Sequence, residues 1–458
     1  MMGSAAGAQQ LSSTGRMAAF LAMLLIATIA LALAFHAVAP PRYGHTVLDA
    51  SKAVFALHST IDSWLPMGNA LQVWRSPEGH DIYAKVFFAP VDAYQYPPAA
   101  LFFAMAVGAV PSEVPTPFET LSLLISLGLV ALGTSHILER VMMLKGMALG
   151  GWSKRIVRAG LVTALMLTFY PVVRAFQLGQ AQLWIDAAFT LALALWLRGN
   201  KAISGVLIGV ACLIKPQLGL LLLWALLRKE WQFAAGLAAF CAIAFGISLI
   251  YFGPENHLSY LNVLSHLSEH GESYRANQSI NGLLGRFMSL HDPASFNNLE
   301  WRESLPPYHP IIYIGTVMSS LIILVPALVW RSTNAVMPRA VDFCTMAISS
   351  TMASPIAWEH HYGIIFPIYP VMMVAAWQRP ILLAVLATSY VIASHYLPVS
   401  YKFAHTALNV VQSYLFFAAL LLLGVMYRFR SSAVQTSQSS EHIDSYGEFT
   451  RSSWVPAA

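Results

Sequence analysis

Apolar runs of membrane-spanning length recur from one end of this chain to the other, and they constrain its fold more than any other feature. Met17–His36, Phe233–Phe252, Ile311–Trp330 and Leu408–Tyr427 are clear examples. A segment of roughly 17–25 apolar residues matches the thickness of a bilayer core. In hydrocarbon every backbone amide must find its partner within the same segment, so such runs form helices. Of the 458 residues, 57% are hydrophobic and only 10% charged, against about 25% charged in a soluble domain. The chain therefore reads as an all-α, polytopic membrane bundle. The first run lacks a small-residue cleavage site after it and reads as a retained span.

The net charge of +5 does not point to nucleic acid. The basic residues are scattered over short loops, the pattern that sets membrane topology. One set of loops holds Arg140, Lys145, Lys154, Arg155, Arg158, Arg198, Lys201, Arg228, Lys229, Arg331, Arg339, Arg379, Arg428 and Arg430. The alternate set holds only Arg174, Lys215, Lys402 and the three arginines of the 253–310 stretch. The richer set is expected to be cytoplasmic. Cys212, Cys241 and Cys344 lie within apolar runs and read as small core residues.

Residues 1–16 and 431–458 are Ser/Gln/Gly-rich and read as disordered tails. Between them, 17–430 forms one transmembrane domain with two long outer insertions, about 38–95 and 253–310. Tyr96–Val110 is short and opens with Pro97-Pro98, so it is expected to be re-entrant or interfacial. That leaves about 12 full spans of the usual length. No internal repeat is visible, which weighs against an inverted-repeat transporter.

With this topology the unusual polar groups fall on the outer face. They include Asp62, Asp81, Tyr96, Arg174, Gln180, Lys215, Asn277, Gln278, Asn281, Arg286 and Glu359-His360-His361. Lys215 beside Pro216 marks a helix break, and a lysine at membrane depth needs a cavity or a partner unless it snorkels to the interface. Asp62, just ahead of the amphipathic stretch Trp64–Trp74, is either an N-cap or a reactive carboxylate. The Glu-His-His run matches no zinc-binding spacing, so no metal site is expected.

Four patches resemble glycosyltransferase family 87, within the GT-C membrane glycosyltransferases. They are Asp62 with Asp81-Ile82-Tyr83 and Tyr96-Pro97-Pro98; Gly179-Gln180-Ala181-Gln182 through Ile214-Lys215-Pro216 to Arg228-Lys229-Glu230-Trp231; Asn277-Gln278-Ser279-Ile280-Asn281-Gly282; and Ser354-Pro355-Ile356-Ala357-Trp358-Glu359-His360-His361. Gln182 departs from the asparagine more common in that family. The resemblance implies a GT-C bundle in the inner (plasma) membrane with its active site on the periplasmic or extracellular side. It implies inverting transfer of mannose or arabinofuranose from a polyprenyl-phosphate sugar to a hydroxyl of a glycolipid or glycan, without a cofactor. Asp62 would then be the general base, with Asp81 as its competitor, and His360 a second catalytic residue. Tyr96, Arg174, Gln180, Lys215, Asn277, Gln278, Asn281, Glu359 and His361 would bind substrate. Lys215, Arg174 or Arg286 would supply the cation for the leaving phosphate. A lipid or small-molecule transporter or flippase would share the helices, but it predicts polar groups along the whole depth.

Overall fold

The computed structural model describes residues 2–38, 46–77, 81–89, 94–288, 306–330, 333–403 and 406–431. Arg42, Asp92, Asn297, Arg331, the tail beyond 431 and much of both outer insertions lie outside the described residues. Among the described residues the chain is helical, with one isolated antiparallel bridge, Asn277 to Trp358, and no strand.

The amino-terminal half runs α1 Met2–Val38, α2 Val47–Phe55, α3 Trp64–Arg75, α4 Ile82–Val86, α5 Leu101–Ala106, α6 Pro117–Leu144, α7 Trp152–Leu167, α8 Tyr170–Gln177 and α9 Gln182–Leu197. Then follow α10 Lys201–Cys212, α11 Leu220–Leu227, α12 Trp231–His270, α13 Ile280–Met288, α14 Pro310–Val329, α15 Val336–Met352, α16 Ile368–Ala375, α17 Pro380–Ala393 and α18, residues 414–431. The helix α1 begins within the stretch that composition reads as an N-terminal tail. The helix α15 stops at Met352, and the Trp358–His361 run opens a separate 3-10 helix, Glu359–Ile365, with Trp358 at its N-cap.

Among the described residues five helices are long and apolar enough to cross a membrane, or six if the bent pair α7–α8 counts as one span. The chain is therefore a multi-pass membrane protein. Several apolar runs are divided. The α7–α8 pair bends by 61° at the extended N-cap Phe169, with Pro171 in the first turn of α8, where its missing N–H costs nothing. Lys215, extended before a proline, separates α10 from a short 3-10 turn and α11. Four apolar helices of 10–17 residues result from such breaks and ends.

The Tyr96–Val110 segment folds as a three-residue 3-10 turn and the six-residue α5, too short to span at 1.5–2 Å per residue. In contrast, the 253–310 insertion begins as helix. Gly253 takes φ 79°, which only glycine adopts readily, and Pro254 follows it; the two interrupt the run, so that α12 comprises two helices meeting at a kink. The second half of α12 thereby continues to His270 and lines the site described next. The helix α6 starts on a reciprocal cap. Thr116 Oγ1 accepts from Glu119 N at 3.2 Å, and Thr116 N donates to the Glu119 carboxylate at 2.6 Å.

Candidate active site

The 59–63 loop lies against the 177–181 turn, and that pairing places the first carboxylate. Thr60 N donates to Gln177 O at 2.8 Å and Asp62 N to Leu178 O at 3.0 Å. The approach depends on Gly179, at φ +67°, since a Cβ there would lie 1.9 Å from the Thr60 carbonyl oxygen. Ser63 bridges the two strands of the turn, donating to Gln180 Oε1 at 2.8 Å while accepting from Ala181 N at 3.0 Å.

These bonds orient the Gln180 amide. Its oxygen accepts from Ser63 and from the Tyr96 hydroxyl, the latter at 3.3 Å, so its NH₂ group faces and donates to Asp62 Oδ2. The N-cap of α3 is Ser63, and the Asp62 carboxylate is held by Gln180 rather than by the helix. The capping reading of Asp62 is thereby set aside. Asp81 does cap a helix, accepting from Ala84 N at 3.0 Å, and it lines neither of the cavities that Asp62 lines.

Asp62 and Trp358 stand on the shared wall of two cavities. The larger, about 430 Å³, also carries Tyr96, Gln180, Lys215, Gln217 and His361, with Tyr260, Leu264 and Leu267 of kinked α12 on its apolar side. The smaller, about 130 Å³, carries Tyr170, Arg174, Arg275, Glu359 and His360. An apolar cavity of about 570 Å³ adjoins the larger one through Pro216 and Tyr260, and is walled by Leu213, Phe245, Leu249, Leu258 and Leu261 among others.

Eight of the eleven site residues read from the sequence come together here. Asp62, Tyr96, Gln180, Lys215 and His361 face the larger cavity; Asp62, Arg174, Glu359 and His360 face the smaller. Asn277, Gln278 and Asn281 are wholly buried and reach neither wall. Asn277 ties Glu272 O and Pro355 O to its Nδ2, at 2.8 and 3.0 Å, and Ala357 N to its Oδ1, at 2.9 Å. Gln278 Nε2 donates to Arg275 O and Gln412 O, both at 2.7 Å, and its Oε1 accepts from Leu415 N at 3.1 Å. Asn281 joins Glu272 N to Thr316. These amides replace a strand ladder and fix the loop that presents Trp358 to His361. Each amide has protein partners, and none of the three lines either cavity. Arg286 is likewise drawn off, donating to Tyr274 O at 2.9 Å, to Asn277 O at 3.1 Å and to Ser413 Oγ.

The electrostatics of the loop follow from its burial. His361 Nδ1 accepts from Trp358 N at 3.1 Å, so in the neutral ring Nε2 carries the proton. Burial, then the nearby Lys215 charge, lowers both His360 and His361 well below the usual imidazole range. Both are neutral at ordinary pH. Glu359 accepts from Tyr414 at 3.1 Å and from Tyr170 at 3.4 Å, and burial raises it while Arg275 and Arg174 oppose that. Burial pushes Glu272 up to about 7; its Oε2 accepts from the Trp358 indole at 2.5 Å and so steadies the partition between the cavities.

The sequence reading missed Asp186. It is wholly buried in α9, accepts from Gln182 Nε2 at 2.8 Å, and lies close enough to Lys215 to interact with its charge. The available signal was an acid inside an apolar run, where ionisable residues are rare and functional. Among the described residues, Lys215 Nζ, His360 Nε2 and Asp186 Oδ2 are buried with no hydrogen-bond partner. No group of three or more His, Cys, Asp or Glu converges to hold a metal among the described residues. What the arrangement offers is a carboxylate, a buried cation and neutral imidazoles around two polar chambers and one apolar one.

The profile of glycosyltransferase family 87 matches residues 94–355. Asp62 and the Glu359–His361 run therefore lie just outside the matched stretch. A polyprenol-phosphate-mannose-dependent alpha-(1-2)-phosphatidylinositol pentamannoside mannosyltransferase of Mycolicibacterium smegmatis is 25% identical over 283 residues, covering 60% of each chain. No solved structure matches the chain.

Proposed function

The chain belongs to glycosyltransferase family 87, and on that premise we propose that it transfers a sugar from a polyprenyl-phosphate carrier to a hydroxyl of a cell-envelope glycolipid or glycan. Mannose is favoured over arabinofuranose by the donor in the relative's name. The observation that carries the reading is the place of Asp62, a carboxylate held by Gln180 on the wall between two cavities.

The larger cavity is the donor chamber. Lys215, unpartnered and buried, receives the carrier phosphate, and the Nε2–H of His361 supplies a second donor. A phosphate leaving group is already anionic, so it needs positive charge and donors rather than a strong acid. The adjoining apolar cavity takes the isoprenoid tail. The acceptor enters through the smaller chamber, where Arg174, Glu359 and His360 hold its hydroxyls. Asp62 removes the proton from the attacking hydroxyl. The new bond forms at the anomeric carbon as its bond to the phosphate oxygen breaks, which inverts that centre. His360 positions the reacting groups from the acceptor side.

The loop basic residues support an active site on the non-cytoplasmic face of the plasma membrane, with the tail after α18 inside. A reporter at Asn297 and another after Arg430 should fall on opposite sides. The direct test is sugar transfer in proteoliposomes. The protein should use polyprenyl-phosphate mannose and ignore nucleotide-activated mannose. Movement of the lipid-linked sugar across the bilayer without transfer would replace this reading with a flippase.

A further inference from the structure

Another buried cation, lining neither of these cavities, lies where α6 ends and α7 begins. Arg158 is 1% exposed, and its Nη2 is 3.5 Å from Glu139 Oε1. Its Nε and Nη1 are buried with no partner among the described residues, as is Nε2 of His136. Glu139 does not neutralise the cluster, because Arg155 grips the same carboxylate through two bonds, at 2.9 and 2.6 Å. Two arginines thus face one acid, and Arg198 adds a third charge 3.4 Å from His136 Nδ1. All four residues Arg155, Arg158, Glu139 and His136 line one cavity of about 220 Å³.

Unpaired donors on a buried guanidinium are costly, and an anion would remove that cost. The rest of the wall indicates where the anion comes from. Leu132, Trp152 and Ile156 line the same cavity and are 71%, 73% and 53% exposed on the lipid-facing side of α6 and α7. A free phosphate gains nothing from these side chains, whereas acyl chains and glycerol do. Tryptophan at a helix start is also a residue of the headgroup region, and basic pockets between membrane helices bind phosphate-bearing headgroups.

We propose that this cavity binds the headgroup phosphate of an anionic phospholipid, clasped by Arg158 and His136 with Trp152 and Ile156 against its chains. The full chain, purified in neutral detergent, is mixed with phosphatidylglycerol, with phosphatidylcholine or with inorganic phosphate, and followed by native mass spectrometry and thermal unfolding. Wild type should retain phosphatidylglycerol over phosphatidylcholine by about tenfold, the effect of one charge-assisted hydrogen bond. Arg158→Gln should lose that preference. Should that variant fail to fold, Trp152→Ala alters only the accessible wall and should weaken retention by itself. Equal retention of both lipids, or an unchanged preference in the wall variant, would overturn the proposal. Stabilisation by inorganic phosphate equal to that by phosphatidylglycerol would overturn it too, leaving a simple anion site.

Discussion

Two buried charge clusters in this protein differ in a single respect. Around α11, α15 and α18, each buried acid is gripped by two basic side chains. Asp342, 1% exposed, receives Arg228 Nε at 2.6 Å and Arg430 Nη2 at 2.8 Å. Arg228 also donates to the carbonyls of Leu328 and Trp330, both at 2.8 Å. Nearby, Glu230 takes Lys201 on one oxygen at 2.5 Å and Arg339 on the other at 2.9 Å. Around Asp62, Lys215 and the histidines the polar atoms instead face cavities, and several lack partners. Buried charges are expensive wherever they lie. Where protein groups answer them they lock helices together, and where empty space answers them they are poised for a ligand. Lys201, Arg228, Arg339 and Arg430, basic loop residues in the sequence, act here as clamps, because Asp342 and Glu230 join segments distant in the chain.

The comparison breaks most visibly at Asp342. Asp342→Asn removes the acid from between two arginines and should cost about 3–5 kcal/mol, the usual penalty for breaking a buried pair. Thermal unfolding in detergent measures it, and the folded fraction should bind donor normally. Loss of donor binding without loss of stability would make the two regions alike.

Asp62→Asn should do the opposite. Transfer should fall on the order of 10²-fold or more, the scale of general base catalysis, with expression and donor binding unchanged. Asp81→Asn is the control and should turn over nearly normally, since Asp81 caps α4 and accepts from Ser259 but lines neither cavity. A dead Asp81→Asn beside an active Asp62→Asn would move the base to the other loop.

Lys215→Met keeps the length and removes the charge. Donor affinity should weaken by roughly tenfold to a hundredfold, the value of a hydrogen bond to a charged group. Unchanged affinity in a donor titration would return Lys215 to an interface anchor. The smallest effect is expected at Glu272. Its carboxyl binds a proton more tightly folded, at about 7, than at its ordinary 4.5. The native state therefore loses stability relative to the unfolded one as pH rises from 4.5 through 7, and is fully penalised above that. Glu272→Gln keeps an acceptor for the Trp358 indole and loses this slope, so its melting temperature should vary less across that range. Identical pH profiles would show that Trp358 is steadied by something else.

The sequence by itself determined that the chain is helical and lives in a membrane, because twenty apolar residues in a row admit no other way to satisfy a backbone. It also determined where helices stop, since Pro171, Pro216 and the Gly253-Pro254 pair act through local geometry alone. The four motif patches were legible as a family likeness, and seven of their candidate residues do meet, joined by Arg174 from outside them. Which residues meet, and which merely hold the others in place, was decided by tertiary structure. Asn277, Gln278 and Asn281 have the same chemistry as Gln180, yet each also bonds a group far away in the chain, at Pro355, Gln412 and Thr316, and no local pattern encodes that. Asp186 stayed hidden among apolar neighbours for the same reason: whether a buried charge faces Lys215 or an arginine clamp depends on which helix packs beside it.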